Sequence, residues 1–473
     1  MQGERHTDRH RRNLSAFYKQ RGSHAVQGEF FMDEIERKIV SLIDEHRQEI
    51  IDFADDIYKH AELGYKEFRT TGKFKEALKD KVELYQEGLA ITGAKAYINR
   101  SKKDTFSLSL IGELDALRIP AHVYANPETQ GAHCCGHHAQ LAGVVGASFA
   151  LLDPQVKAAL DGQLIFFAVP AEEYGEVEFK KGLMEQGKIK YGGGKCELIR
   201  IGAFDDIDLD VVHHTRTDGI SVGSGANNGF VSKVITLTGK AAHAAGSPEK
   251  GINALAAASL GLQALGLNRE TFRDEDWVRV HPILTQGGSL VNVVPDKAVI
   301  ETLVRARTTS AILDAAAKTD RSFKAGALAL GAGYRIETLP GYLPALPQEF
   351  PEELYSIVQE VAGNKPVVRT PADAHSTGST DVGDVQHLQP VLTFHTGGVT
   401  GGLHQSDFTV VDEDEAYVLT AKIFALTAYR LLKDGAALGK KIKAAYKPVY
   451  ASKEEYIAAL DSFYSVEEEP ANA

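Results

Sequence analysis

Residues Leu164–Glu176 read LIFFAVPAEEYGE. The run from Leu164 to Val169 has no polar break and stops at Pro170, which is the length and texture of a strand covered on both faces rather than of a helix. Two adjacent carboxylates, Glu172 and Glu173, follow at once. In an open α/β sheet the ligand crevice lies beyond the carboxyl ends of the strands, so the stretch suggests both a sheet and the edge of it that carries chemistry. Phe106–Leu110 and Val211–Val212 are similar short apolar runs, and Gln140–Leu152 between them reads as a buried helix rich in Ala and Gly. Apolar residues at helical spacing (Ile35, Ile39, Leu42, Ile43, then Ile50, Phe53, Ile57) open the fold, and a long helix is expected from Glu413 to Leu432. Strands alternating with helices predict an α/β fold, with a mostly parallel sheet flanked by helices.

The texture changes near Ser221. Phe230–Leu237 (FVSKVITL) alternates apolar and polar residues, as a half-buried antiparallel strand does. A helix over Ile252–Leu267, strands near Val278–Leu284 and Ala298–Val304, a helix over Ala311–Leu330 and a strand over Tyr334–Leu339 follow. That β-α-β-β-α-β order predicts an inserted α+β domain of ferredoxin-like type over residues 222–336. The catalytic domain is then expected over residues 32–221 and 337–440, and a C-terminal helix with a frayed tail over residues 441–473. Residues 1–31, polar and basic ahead of a plausible start at Met32, are expected to form a disordered leader.

The chain has 473 residues, too many for one compact core. Its net charge of -12 argues against a nucleic-acid partner, which requires clustered Lys and Arg. Nothing approaches the ~18 apolar residues of a membrane span, and the N-terminus lacks the apolar core of a secretory signal. The only cysteines are Cys134, Cys135 and Cys196. Two are adjacent, so a disulfide framework is excluded and a reducing, cytoplasmic compartment is expected.

Four clusters could do chemistry, and all lie outside the insertion. GAHCCGHH (Gly131–His138) precedes a helix and sets a Cys and a His two residues apart, able to face one metal. The pair Glu172 and Glu173 could divide metal binding from proton transfer, although acidic pairs at strand ends are also common as solvated loops. DVVHHTRTDG ends a strand in His213 and His214, and GGVTGGLHQSDF places His404 in a glycine-rich loop. Together a Cys, three His and a Glu at the ends of successive elements suit Zn²⁺, with Mn²⁺, Co²⁺ or Ni²⁺ as alternatives. Five ligands and a spare Glu exceed the needs of one structural zinc and suit two metals sharing a water.

The order of these motifs resembles the two-zinc aminoacylase and carboxypeptidase metallopeptidases. Within them it is nearest the amidohydrolase branch of hippurate, indoleacetyl-amino-acid and aminobenzoyl-glutamate hydrolases. The resemblance runs from about His60 to Tyr429 through HAELGYKEFRTT (His60–Thr71), GELDALRIP with Asp115, GAHCCGHH, PAEE, GKAAHAAGSPEKGINAL (Gly239–Leu255), GSTDVGDV (Gly378–Val385) and the His404 loop. It implies an amide hydrolase acting on N-acyl amino acids or short peptides. Two divalent metals would be held by Cys135 as bridge with His137, Glu173, His214 and His404, and Glu172 would be the general base. It also implies a homodimer joined through the insertion, with His243 stabilising the oxyanion in the partner's site, and Asn292 and Arg305 lining the substrate pocket. The sequence departs from the pattern at Cys134, at His138, in the doublet His213–His214, and in an insertion over Glu176–Tyr191. A metal-independent cysteine amidase using Cys135 or Cys134, and a non-catalytic binding protein of the same fold, are the alternatives.

Overall fold

A computed structural model describes residues 32–471, and the leader expected over residues 1–31 lies outside them. The opening helices, Glu34–Glu45 and Arg47–Lys59, bury Ile39, Ile43, Ile50 and Ile57, the apolar stripe read from the sequence. An eight-stranded sheet runs in the order Leu84–Leu89, Gly93–Ile98, Gln163–Val169, Ser107–Glu113, Leu209–Thr215, Val391–Thr396, Ile220–Val222, Val367–Arg369. Its middle pairs are parallel, while the two strands at the first edge and the Ile220–Val222 pairing with Val391–Thr396 are antiparallel. This is the mostly parallel sheet expected, and Gln163–Val169 is buried at every residue.

The helix His137–Leu151 begins earlier than expected and is buried nearly all round. Its small residues allow a tight crossing with the start of the helix Leu419–Ala445, which is kinked at residues 433–436: a Cβ on Gly143 would stand 2.4 Å from the Thr420 side chain, and one on Gly146 2.7 Å from Ala421. That packing anchors the N-terminus of the first helix, and hence His137, over the sheet.

The inserted region forms a second sheet. Arg279–Val280 and Ile283–Gln286 pair with Lys297–Ala306, followed by Gly229–Thr238 and Gly333–Pro340. Helices Ala254–Asn268 and Thr309–Leu330 bury Ala257, Ala258, Ile312, Ala315 and Phe323 with Val231, Ile235, Ile300 and Val304 on one face of it. The other face meets the Glu176–Tyr191 insertion, which forms the helix Val177–Glu185. Val177 packs on Val234 and Leu339, and Lys181 pairs with Glu337 at 3.0 Å.

The tail expected to fray instead forms a fifth position in this sheet. Ser465–Glu469 pairs antiparallel with Gly333–Pro340, with Tyr334 opposite Glu469 and Thr338 opposite Ser465. Its acidic run has low strand propensity, but the open edge supplies backbone partners, and Lys324 and Arg335 pair with Glu467 and Glu468. No described helix is long and apolar enough to cross a membrane.

Candidate metal centre

Chain reversal after the strand Gln163–Val169 brings the two glutamates to the sheet's carboxyl edge. Ala171 turns the chain with φ of 51° and donates its N–H to Glu67 Oε1 at 2.8 Å. The N–H groups of Glu172 and Glu173 donate to the two carboxylate oxygens of Asp115, at 3.1 and 2.9 Å. Asp115 therefore fixes the glutamate loop through its backbone, while its own carbonyl accepts from His137 Nδ1 at 2.8 Å.

That bond puts the proton of neutral His137 on Nδ1 and turns the Nε2 lone pair inward. His214 is oriented the same way, with Nδ1 donating to the Thr215 carbonyl at 2.9 Å and Nε2 lying 3.3 Å from Cys135 Sγ. Imidazoles held through one nitrogen and free at the other are oriented as metal ligands are. Gly136, between Cys135 and His137, has φ of 90°, and a Cβ there would meet Thr215 Oγ1 at 2.2 Å. The close approach of loop to strand that creates this corner thus requires glycine.

His404 enters from the glycine-rich loop, its backbone N–H bonded to the Cys134 carbonyl at 2.8 Å. Its Nε2 stands 3.3 Å from Cys135 Sγ and 3.1 Å from Glu173 Oε1. Cys135 Sγ thus belongs to two groups of donor atoms, one with His137 and His214 and one with Glu173 and His404. A third group joins Glu113, His137 and Glu172. His137 Nε2 and Glu113 Oε2 are buried without a hydrogen-bond partner among the described residues, 3.2 Å apart. One thiolate, three imidazoles and carboxylates, with buried donors left unsatisfied, fit divalent metal ions.

The electrostatics follow from this crowding. Burial opposes ionisation of Cys135, but the imidazoles of His214 and His137 outweigh it and bring the thiol down to about 6. Glu173 is also penalised by burial, yet His404 and His137 hold its carboxyl at about 2. Glu172 goes the other way. Burial, and then the carboxylates of Glu113 and Glu173, raise it well above the ordinary range. Two neighbouring glutamates with oppositely shifted carboxyls are the pattern of one ligand and one proton carrier.

The neighbours in each doublet face elsewhere. Cys134 is packed in an apolar pocket with Tyr58, Ala132, Val399 and Phe408, where burial pushes its thiol up to about 12. His213 sits on the opposite face of its strand, with Nε2 2.7 Å from Thr396 Oγ1 and its ring against Phe394 and Phe424. His138 stacks on Tyr58 at 4.5 Å.

Three of the residues singled out from sequence lie in the inserted domain. Arg305 rests over the Phe230 ring, 5.5 Å from its centroid, and donates to Ser379 Oγ at 3.3 Å. Burial weakens its charged form, and Glu173 and Glu172 are among the groups that favour it. Asn292 is exposed, and its carbonyl accepts from Ala244 N–H at 3.0 Å. His243 is exposed, and its Nδ1 accepts from the backbone N–H of Gly246 at 3.0 Å. Among the described residues, neither Asn292 nor His243 makes a hydrogen bond or ion pair with the cluster.

One network was not foreseen. Lys195, fully buried, reaches Glu113 Oε1 at 2.5 Å and Asp381 Oδ1 at 2.6 Å, and its N–H donates to Asp381 Oδ2 at 2.8 Å. The signals were present in GELDAL, GGGK and GSTDVGDV, but only folding joins them. Gly193 and Gly194 admit the lysine, since Cβ atoms there would meet Tyr342 at 2.2 Å and the Pro170 carbonyl at 1.6 Å. Lys195→Met is expected to cost about 3–5 kcal/mol of stability, because it strands two buried carboxylates. Chemical denaturation checks this, and a loss below about 1 kcal/mol would mean that those carboxyls are neutral when folded.

Residues 225–325 match the peptidase dimerisation domain of the M20 family. The chain is 29% identical to the Xaa-Arg dipeptidase of Mus musculus over 314 residues, covering 63% of this chain and 66% of that protein. It is 30% identical to the N-acetyl-L-cysteine deacetylase of Bacillus subtilis (strain 168) over 275 residues, covering 54% and 59%. The likeness is thus to an M20 peptidase dimerisation domain over residues 225–325, and to a dipeptidase and a deacetylase over 54–63% of this chain. The matched stretches span 59–66% of the length of those curated relatives. The likeness in fold extends further than the sequence match: a putative aminohydrolase from methicillin-resistant Staphylococcus aureus superposes with a TM-score of 0.64 at 20% identity, covering 84% of this chain and 100% of that one.

Proposed function

We propose that this chain is an M20-type two-metal hydrolase cleaving the amide bond of N-acyl amino acids or short peptides. The observation that carries the reading is the pair of donor groups sharing Cys135 Sγ. Cys135, His137, His214, Glu173 and His404 would hold the ions, Cys135 being the donor common to both groups. Zn²⁺ suits the mixed thiolate, imidazole and carboxylate set, with Mn²⁺, Co²⁺ or Ni²⁺ as alternatives. Bound there, two divalent ions would supply Lewis acidity and lower the pKa of water.

The chain's own groups do the rest. Glu172, held by its backbone against Asp115 and with its carboxyl 3.8 Å from His137 Nε2, takes the proton of the attacking water and returns it to the leaving amine. Arg305 holds the substrate's free carboxylate, with Asn292 beside the same pocket once a partner subunit closes it. His243, from the partner, donates Nε2–H to the developing oxyanion. Its Nδ1 already accepts a backbone N–H, so the neutral ring carries its proton on the outward nitrogen. A dimer through the inserted domain is supported by its open edge, where Ile283, Leu284, Leu290 and Val291 are exposed apolar residues while Ser465–Glu469 covers the opposite edge. Three free cysteines suit a cytoplasmic setting.

The thiol of Cys135, lowered beside His214, would also suit a cysteine nucleophile. Metal analysis separates the two readings. Cys135→Ala is expected to lose most of about two bound ions per chain, whereas Cys134→Ala keeps them. An active, metal-free wild-type protein insensitive to chelators would favour the nucleophile.

A further inference from the structure

Arg279 is directly opposite Arg305 in the inserted sheet, and Phe230 flanks Arg305 on the other side. Residues opposed in an antiparallel pair project to the same face. The neighbouring row, Val280, Val304 and Val231, is buried in the core cluster that contains the sheet's two helices. The arginine row therefore points away from those helices. It faces the side where Phe230 packs on Tyr174 and Tyr342, and where Arg305 feels Glu172 and Glu173.

Two like charges directly opposed across strands destabilise a sheet. Neither guanidinium has a carboxylate within 4.0 Å among the described residues. Arg279 donates only to the neighbouring Val278 carbonyl, at 2.9 Å, and Arg305 to the Ser379 hydroxyl. An uncompensated arginine pair on the face turned toward the metal-binding cluster is a site for anions brought by a ligand.

We propose that Arg279 is a specificity residue that binds a second carboxylate, on the side chain of the amino acid released by hydrolysis. Preferred substrates are then N-acyl or peptidyl derivatives of glutamate or aspartate. Arg305 takes the α-carboxylate and Arg279 the side-chain carboxylate. The Cβ atoms of opposed residues lie about 4.5–5.5 Å apart, the scale that separates the two carboxylates of one such amino acid. The inference rests on the amidohydrolase reading above and goes beyond it in naming the released residue as acidic.

The test compares kcat/KM for N-acetyl-glutamate, N-acetyl-glutamine and N-acetyl-arginine on metal-loaded wild type, Arg279→Gln and Arg279→Lys. Glutamate and glutamine are nearly isosteric, so their ratio isolates the second charge. Wild type is expected to favour the glutamate derivative over glutamine by about tenfold or more. Arg279→Gln brings that ratio close to one, chiefly through KM, and Arg279→Lys retains part of it. Equal wild-type rates for glutamate and glutamine, or a preference for arginine, overturn the proposal. An equal fall for every substrate in Arg279→Gln overturns it too, since Arg279 would then share the α-carboxylate. If the wild type cleaves none of these, nor their benzoyl counterparts, the amidohydrolase reading itself fails and this inference falls with it.

Discussion

Glu172→Gln is expected to lower kcat by about 10²–10⁴-fold, the range for losing a general acid–base, while metal content and fold persist. Glutamine keeps the size of the side chain, and the backbone N–H that docks on Asp115 is untouched. Glu172 is outside both donor groups that contain Cys135, its carboxylate lying 3.8 Å from His137 Nε2. Steady-state kinetics with metal analysis of the same preparation checks the expectation. Glu172 also closes the third donor group, with Glu113 and His137. If Glu172→Gln loses metal while Glu173→Gln stays loaded, the two glutamates have exchanged roles.

His243→Ala is expected to lose about 10²–10³-fold in kcat, the usual effect of removing one oxyanion donor, with metal content normal. The residue is exposed and makes no hydrogen bond or ion pair with the cluster among the described residues, so truncating it should cost little stability. A composite site gives a sharper result. Mixing Glu172→Gln with His243→Ala should restore activity, because each mixed dimer holds one site with both groups intact, as two-fold symmetry requires. Subunit exchange without recovery would place His243 in its own chain's site and end the shared-site reading.

Much of the architecture followed from local patterns. Leu164–Val169 could be read as a buried strand because a short unbroken apolar run between turn signals suits a parallel sheet. The β-α-β-β-α-β order of the insertion was equally legible in its alternating FVSKVITL strand and its two apolar helices. The ligand candidates were visible as motifs, since Cys-Gly-His before a helix and paired glutamates after a strand leave a local mark.

What sequence left open were choices between neighbours and contacts between distant segments. His213 and His214 are equivalent as letters, and strand alternation sends them to opposite faces. The register of Leu209–Thr215 against Val391–Thr396 decides which one meets Cys135. Cys134 and Cys135 are parted in the same way, one turned into an apolar pocket and the other toward the imidazoles. The buried Lys195 joins Glu113 and Asp381 across 82 and 186 residues of chain, a pairing no local window contains. The Ser465–Glu469 strand was missed for the same reason, because its stability comes from an open sheet edge and opposite charges rather than from its own residues. Sequence by itself determined most of the elements and the chemical inventory, because periodicity and short motifs are local. Tertiary structure alone decided which members of that inventory share a site, because side-chain direction and long-range pairing exist only after the sheet has formed.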